Sequence, residues 1–216
     1  AQVEGIFISH EHSDHIAGLQ QLLKRFDIPV YTKQGTWREI QDKLIVPKNR
    51  LIELTKGSLT LGSLIVEPFS VSHDAADPIG INVFAGNDKA TIVTDTGVIS
   101  DDVLRRIDDT TLLVLEANYD PHMLRFGPYQ PFLKQRVASD EGHLSNEMAA
   151  QALLMMKRPD FMQVILAHRS ENNNNAVLVT QTIGKMLVDG GVRIGPEMKL
   201  QHGQPNEIVS IQSVER

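Results

Sequence analysis

The sequence predicts a mixed α/β (α+β) domain, and three observations predict it. Short apolar runs rich in Val, Ile and Leu alternate with segments whose apolar residues recur at helical spacing. Four of the apolar runs lead to a histidine or an aspartate: residues 3–8 to His10, 64–71 to His73, 90–94 to Asp95 and 164–167 to His168. No internal repeat, long linker or low-complexity tract divides the 216 residues, so one domain over 1–216 is expected, long enough to bury a substantial core.

In chain order, residues 3–8 read as a buried strand. Ile16, Leu19, Leu22, Leu23 and Phe26 mark one face of a following helix, residues 16–26. Residues 29–32 form a short strand, and 36–45 a helix with Trp37, Ile40 and Leu44 in register and Trp37 read as core or a packing lid. Strands at 51–54 and 58–61 flank a turn at Lys56-Gly57, and another strand runs over 64–71. Residues 79–85 and 90–94 pair as a hairpin across Gly86-Asn87-Asp88. A helix at 101–107 precedes the buried strand 112–116. The segment 128–137 carries Lys134 and Arg136, a charge pair of the kind usual on a solvated face. Ser145 or Asn146 caps a helix at 147–157, whose methionines read as core. The strand 164–167, a helix at 176–188 opened by the run Asn172 to Asn175, and one or two edge strands from Met198 complete the chain. His122 and His202, with no motif around them, are read as surface histidines.

Composition bounds the rest. Hydrophobic residues at 41% and charged residues at 22% are ordinary for a globular protein. The sequence shows no apolar run of membrane-spanning length and no signal-peptide pattern at its start, so no membrane partner and a cytoplasmic location are expected. The absence of cysteine removes disulfides and thiolate zinc sites. A net charge of −6 argues against broad non-specific binding of nucleic acid, yet bound divalent ions would make a site locally positive. The chain opens on Ala1 and enters its first strand almost at once. It is therefore expected to be the middle and end of a domain whose first strands are absent, with the sheet short of partners beside residues 3–8.

The strongest chemical signal is His10-x-His12-x-Asp14-His15 at the end of the first apolar run. His10 and His12, two apart at a strand end, project to the same side. Asp14 and His15 lie on the turn into the next helix, whose first amides favour a carboxylate. Four such donors in one loop can serve two metal ions, and nitrogen with oxygen suits Zn²⁺ or Mn²⁺. Taken alone, His73 is as readily a core histidine and Asp95 a capping residue. With His10 and His12 they read as members of one site at a shared sheet edge.

In this order, His10-x-His12-x-Asp14-His15, His73, Asp95 and His168 resemble the metallo-β-lactamase superfamily over the whole chain. The resemblance implies a four-layer αββα sandwich with a two-metal site at one edge. It implies that His10, His12 and His73 hold one ion, that Asp14, His15 and His168 hold the other, and that Asp95 bridges them. The departure is the missing amino-terminal strands. Ser72-His73-Asp74-Ala75, Thr94-Asp95-Thr96-Gly97, Glu116-Ala117-Asn118, Leu133-Lys134-Gln135-Arg136, Gly142-His143-Leu144-Ser145-Asn146 and the segment from Leu166 to Asn173 further resemble the YycJ/WalJ (VicX) branch. That branch is linked to exonuclease activity on DNA and, by context, to a two-component system controlling the bacterial cell wall. Its members commonly carry His at the position of Tyr119, so Tyr119 is given no catalytic role. The block from Glu116 to His168 is also similar to tRNA 3′-processing enzymes of the superfamily.

The expected activity is therefore a phosphodiesterase, an exonuclease on DNA, using a hydroxide activated by two divalent ions, Zn or Mn. Asp14 and His143 are the expected catalytic residues. His143 would bind phosphate or protonate the leaving oxygen, its alternative being to order the loop before the helix. Arg169 and Lys134 are candidates for contacts to backbone phosphate, and Asp74 and Glu116 for orienting the ligating histidines from behind. Nucleic acid is the expected partner, with a homo-oligomer left open. Two rivals stand. One is an acyl hydrolase of thioesterase, glyoxalase or lactamase type. The other is a non-enzymatic regulatory protein that keeps the metal site as scaffold.

Overall fold

The computed structural model describes residues 3–55, 57–204 and 207–211, so the turn expected at Lys56-Gly57 lies in part outside the described residues. The strands form two sheets. A parallel sheet runs in the order β1 (Ile6–Phe7), β2 (Val30–Thr32), β3 (Leu51–Glu53). The second sheet has seven strands: β4 (Leu59–Leu61), β5 (Leu64–Ser70), β6 (Ile79–Ala85), β7 (Asp88–Val93), β8 (Leu112–Glu116), β9 (Met162–Ala167) and β10 (Met198–His202), which lie side by side in the order β10-β9-β8-β7-β6-β5-β4. The helices are α1 (Ser13–Ile16), α2 (Leu19–Arg25), α3 (Gln34–Gln41), α4 (Asp101–Ile107), α5 (Pro121–Phe126), α6 (Pro131–Val137), α7 (Asn146–Met155) and α8 (Ala176–Asp189).

Side-chain alternation along the strands sets the layers. Ile6, Ile8 and Val30 turn one way and pack with Ile16, Leu19, Leu23 and Ile40 of α1–α3. Phe7 and Tyr31, stacked at 4.8 Å, turn the other way and meet Val66, Ile79 and Ile81 of the second sheet. The far face of that sheet presents Val93, Leu113, Leu115, Val164 and Leu166 to Ile107 of α4, Leu153 of α7, and Ile183 and Leu187 of α8. The result is helix on sheet on sheet on helix, the αββα sandwich. Each fully buried Leu or Ile contributes about 1.5–3 kcal/mol of burial, which makes the third interface the main source of stability.

Strand direction explains where chemistry collects. β5 is antiparallel to β6 and β6 to β7, while β7, β8 and β9 run parallel. The carboxyl ends of β5, β7, β8 and β9 therefore share one edge, and those ends carry His73, Asp95, Glu116 and His168. The first sheet joins that edge where the Ile79 amide donates to the Ser9 carbonyl at 3.2 Å, next to His10.

Several elements differ from expectation. The helix expected over 16–26 is two pieces, α1 and α2, divided at Ala17 and Gly18. The first piece presents Asp14 and His15 while Leu19 and Leu23 of the second turn into the core. The helix expected over 36–45 starts earlier and stops at Gln41, leaving Leu44 to pack from a loop. A 3₁₀ turn at Lys48–Arg50 and helix α5 were not expected. For α5 the signal is in the sequence: the Asp120 carboxylate accepts from the Met123 amide and Pro121 opens the first turn. The Ser145 cap of α7 is observed, accepting from the Met148 amide.

Gly97 follows the Asp95 turn and lies against the loop before His143. A Cβ there would sit 2.2 Å from the Ser139 carbonyl oxygen, whereas a Cβ at Gly18 would meet nothing within 4 Å. Gly97→Ala is expected to lower unfolding stability by about 1–3 kcal/mol through overpacking. Gly18→Ala, in right-handed backbone (φ −84°), is expected to leave stability unchanged or raise it by up to about 1 kcal/mol. Urea melts of the two variants beside the parent check the contrast.

Candidate metal centre

The loop after β1 and the end of β5 bring three ring nitrogens face to face. His12 Nδ1 lies 3.1 Å from His10 Nε2 and 3.2 Å from His73 Nε2. His73 has its other nitrogen occupied: Nδ1–H donates to the carbonyls of Glu141 and Gly142, each at 3.1 Å. Its Nε2 is therefore a bare lone pair aimed at His12. One proton on His12 Nδ1 cannot serve both facing nitrogens well, so the three rings are arranged for an acceptor of lone pairs rather than for each other.

A second triad adjoins the first. Asp14 Oδ2 lies 3.4 Å from His15 Nε2 and 3.7 Å from His168 Nε2. Asp95 stands between the triads, with Oδ2 3.3 Å from His15 Nε2, and Oδ1 3.5 Å from His168 Nε2 and 3.7 Å from His73 Nε2. Although Asp95 is buried to 2% exposure, its Oδ2 has no hydrogen bond of good geometry. Asp95 and His168 both adopt left-handed backbone, φ 56° and 51°, as does Asp109 in the turn after α4 at φ 55°, a region uncommon for non-glycine residues though entered more readily by Asp and His. The structure thus brings together all seven side chains singled out from the sequence.

Those seven fit divalent cations. Donors at about 2.0–2.2 Å from a tetrahedral zinc lie roughly 3.4 Å apart, and the separations above run from 3.1 to 3.7 Å. The lone pairs, the orphaned carboxylate oxygen and the absence of sulfur suit Zn²⁺ or Mn²⁺. The groups His10–His12–His73, Asp14–His15–His168 and His10–His15–Asp95 each place their ligand atoms within 4.8 Å of one another.

Behind the site lies Glu116, completely buried at the end of β8. Its Oε1 accepts Nδ1–H of His143 at 2.7 Å and Nδ1–H of His168 at 2.9 Å. Its Oε2 accepts from the amides of Thr96 at 3.2 Å and Leu144 at 3.4 Å. Burial alone would raise the Glu116 pKa, but the two imidazole hydrogen bonds outweigh it and hold the carboxyl below its usual range. Asp74 lies beside the histidines and also meets a cation. It is bound by Arg136, with Nη2 2.8 Å from Oδ1 and Nε on Oδ2, while Oδ1 lies 3.5 Å from His73 Nε2 and 3.9 Å from His12 Nε2. Asp74 thus acts first on Arg136.

Two basic candidates separate. Arg136 lines a cavity of about 320 Å³ with His12, Asp14, Asp95, His143 and His168. Lys134, one of the expected phosphate contacts, is not in that lining; its Nζ donates to the Arg125 carbonyl at 2.8 Å, closing the end of α5. Spacing on α6 could not decide between them, because the Asp74 partner is 62 residues away. Arg169 lies on the wall of a larger, adjoining cavity. Sequence reasoning also missed Ser9, whose Oγ lies 3.1 Å from His10 Nδ1 and 3.4 Å from His15 Nδ1. It missed Asn118, which donates to the His168 carbonyl at 2.8 Å, and the reciprocal amide pair Asn146–Asn174, at 3.1 and 2.8 Å, that joins α7 to the loop after β9. Tyr119 packs with Leu124 and Val137. His202 is half-buried rather than at the surface, with its Nε2 2.9 Å from the Thr180 hydroxyl and its pKa lowered by burial and by Arg169.

Comparison with known proteins gives concordant results. The family model described as "Beta-lactamase superfamily domain" matches residues 1–168, ending on the last of the seven. The chain is 36% identical over 214 residues to "Exodeoxyribonuclease YycJ" of Bacillus anthracis, covering 98% of this chain and 81% of the relative. It is 32% identical over 209 residues to "Exodeoxyribonuclease WalJ" of Streptococcus pneumoniae, covering 94% and 77%. The solved structure of the metallo-beta-lactamase fold protein YhfI from Bacillus subtilis superposes with a TM-score of 0.67 at 16% identity, covering 92% of this chain and 75% of that one. Among the described residues no helix is long and apolar enough to cross a membrane.

Electrostatics makes the metal-free site sensitive to pH in both directions. Burial, reinforced by neighbouring His15, pushes His10 down from 6.5 to about 3. Burial also opposes charge on His168, but Glu116, Asp95 and Asp14 outweigh it and raise this ring from 6.5 to about 9. A raised pKa stabilises the fold below the unfolded value, and that stability is lost as pH rises through the folded one; a lowered pKa for a base does the reverse. Chelator-treated protein is therefore expected to be most stable near pH 6.5. Its stability should fall towards pH 3 as His10 resists protonation and towards pH 9 as His168 deprotonates. Denaturant midpoints across that range test this; stability still rising from pH 6.5 to 9 would contradict it.

Proposed function

The chain belongs to the β-lactamase superfamily, in the branch of the YycJ and WalJ relatives, and we propose on that footing that it is a dinuclear metal-dependent phosphodiesterase acting on nucleic acid, an exonuclease on DNA. The observation that carries this reading is His143. It is not one of the seven converging side chains, yet Glu116 holds its ring beside His168 on the wall of the same cavity. A sugar alkoxide is a poor leaving group and needs a proton as the P–O bond breaks, whereas a thiolate does not. A positioned imidazole beside the site therefore favours a phosphodiester over a thioester.

His10 Nε2, His12 Nδ1 and His73 Nε2 would hold one cation, and Asp14, His15 Nε2 and His168 Nε2 the other, with Asp95 shared. Zn²⁺ or Mn²⁺ bound there would supply Lewis-acid activation of water and neutralise phosphoryl oxygens. The chain's own groups supply the rest. Asp14, whose side chain is 65% exposed at the rim, would orient the attacking water and accept its proton. His143, with Nδ1–H committed to Glu116, can release a proton only from Nε2, so the direction of transfer towards the leaving oxygen is set. Arg136, braced by Asp74, would bind a phosphoryl oxygen, and Arg169 a phosphate further along the strand.

His143→Ala is expected to keep its metal content and lose about 10²–10⁴-fold in cleavage rate. Asp95→Ala is expected to lose at least one ion and with it activity. Metal analysis and digestion of end-labelled DNA and RNA, run on both variants and the parent, check this. Cleavage by His143→Ala at the parent rate would leave His143 as a loop-ordering residue only. A parent inert on nucleic acid but active on thioesters or lactams would replace the phosphodiesterase reading by the acyl-hydrolase one.

A further inference from the structure

Beside the metal centre lies a second, larger cavity of about 900 Å³, which shares Arg136, His143 and His168 with the first. Its size falls within the roughly 300–1,000 Å³ of sites that enclose small organic ligands. One wall is α6 and the turn before it, presenting Leu133 and the half-buried ring of Tyr129. The lining also takes in residues of the segment from Ala167 to Ala176, Arg169 among them. The cavity thus combines an aromatic and aliphatic wall with a guanidinium that forms no ion pair among the described residues.

We propose that this cavity is a nucleotide subsite, which takes up the nucleotide adjoining the scissile phosphate, its base against Tyr129 and Leu133 and its own phosphate on Arg169. This inference rests on the phosphodiesterase reading above and adds to it the place where the strand end is gripped. A flat, apolar base face matches the Tyr129 wall, and an inorganic phosphate would leave that wall unused. The acceptor of Glu171, also in the lining, suits the exocyclic amine of a base and opposes a bare anion. Because the cavity is built from the loops that carry His143 and His168, a nucleotide seated in it would bring the next phosphodiester to the centre.

The test is to fill the cavity from a position away from the centre. Ala176 lines the larger cavity and not the smaller, at the first turn of α8. Ala176→Phe would occupy space a base needs, and Ala176→Val would not. Metal-loaded parent and variants are assayed on a single-stranded oligodeoxynucleotide and on methyl p-nitrophenyl phosphate, which has no base and no ring besides its leaving group. Ala176→Phe is expected to lose about 10- to 100-fold in kcat/KM on the oligonucleotide, the scale of one lost stacked base. It should keep the small diester within about twofold, and Ala176→Val should behave as the parent on both, since the centre itself is untouched. Undiminished oligonucleotide cleavage by Ala176→Phe overturns the subsite and leaves the phosphodiesterase reading standing. Equal loss on both substrates also overturns it, because position 176 would then be acting on the fold or the centre. A parent that cleaves neither substrate removes the phosphodiesterase reading and the subsite with it.

Discussion

The carboxylate of Glu116 is the interaction on which the rest of the site depends. It is fully buried, it comes from β8, an interior strand of the larger sheet, and it fixes two imidazoles on one oxygen. Its other oxygen takes amides from the turn after Asp95 and from the loop that carries His143. One side chain thereby ties together three loops that are remote in sequence. Removing one partner of such a buried charged cluster typically costs about 3–5 kcal/mol, because the remaining charges stay desolvated. Rigid placement of His143 and His168 is what that burial gives in return.

The same logic repeats around the centre. His73 gives its outer nitrogen to two backbone carbonyls, His168 and His143 to Glu116, and His10 lies against Ser9. These partners select the tautomer and leave the inner nitrogen of each ring as a lone pair or a single proton. Rings held this way are fixed in orientation before any ligand arrives. The opposed pKa shifts of His10 and His168 have different origins: burial and neighbouring His15 lower the first, and Glu116, Asp95 and Asp14 raise the second.

Much of the site is legible in the sequence because its donors sit at strand ends. Alternation puts His10 and His12 on one side, and the apolar runs before His73, Asp95 and His168 announce strands whose termini must share an edge if the strands run parallel. What local pattern does not carry is pairing across the fold. Arg136 rather than Lys134 faces the site because Asp74 is there to receive it, and nothing on α6 alone says so. The Asn146–Asn174 pair and the hold of Asn118 on His168 are likewise contacts 28 and 50 residues apart. The break at Gly18 and helix α5 are different cases: a glycine in one, and Asp120 before Pro121 in the other, are readable signals.

The central claim is that Asp95 lies between two cations, each completed by its own triad. Anomalous diffraction at the zinc edge, from crystals of protein loaded with Zn²⁺, measures this directly. The account predicts two peaks flanking the Asp95 carboxylate, one within about 2.0–2.2 Å of donors from His10, His12 and His73 and the other equally close to donors from Asp14, His15 and His168. A single peak, or peaks away from these seven side chains, would contradict it.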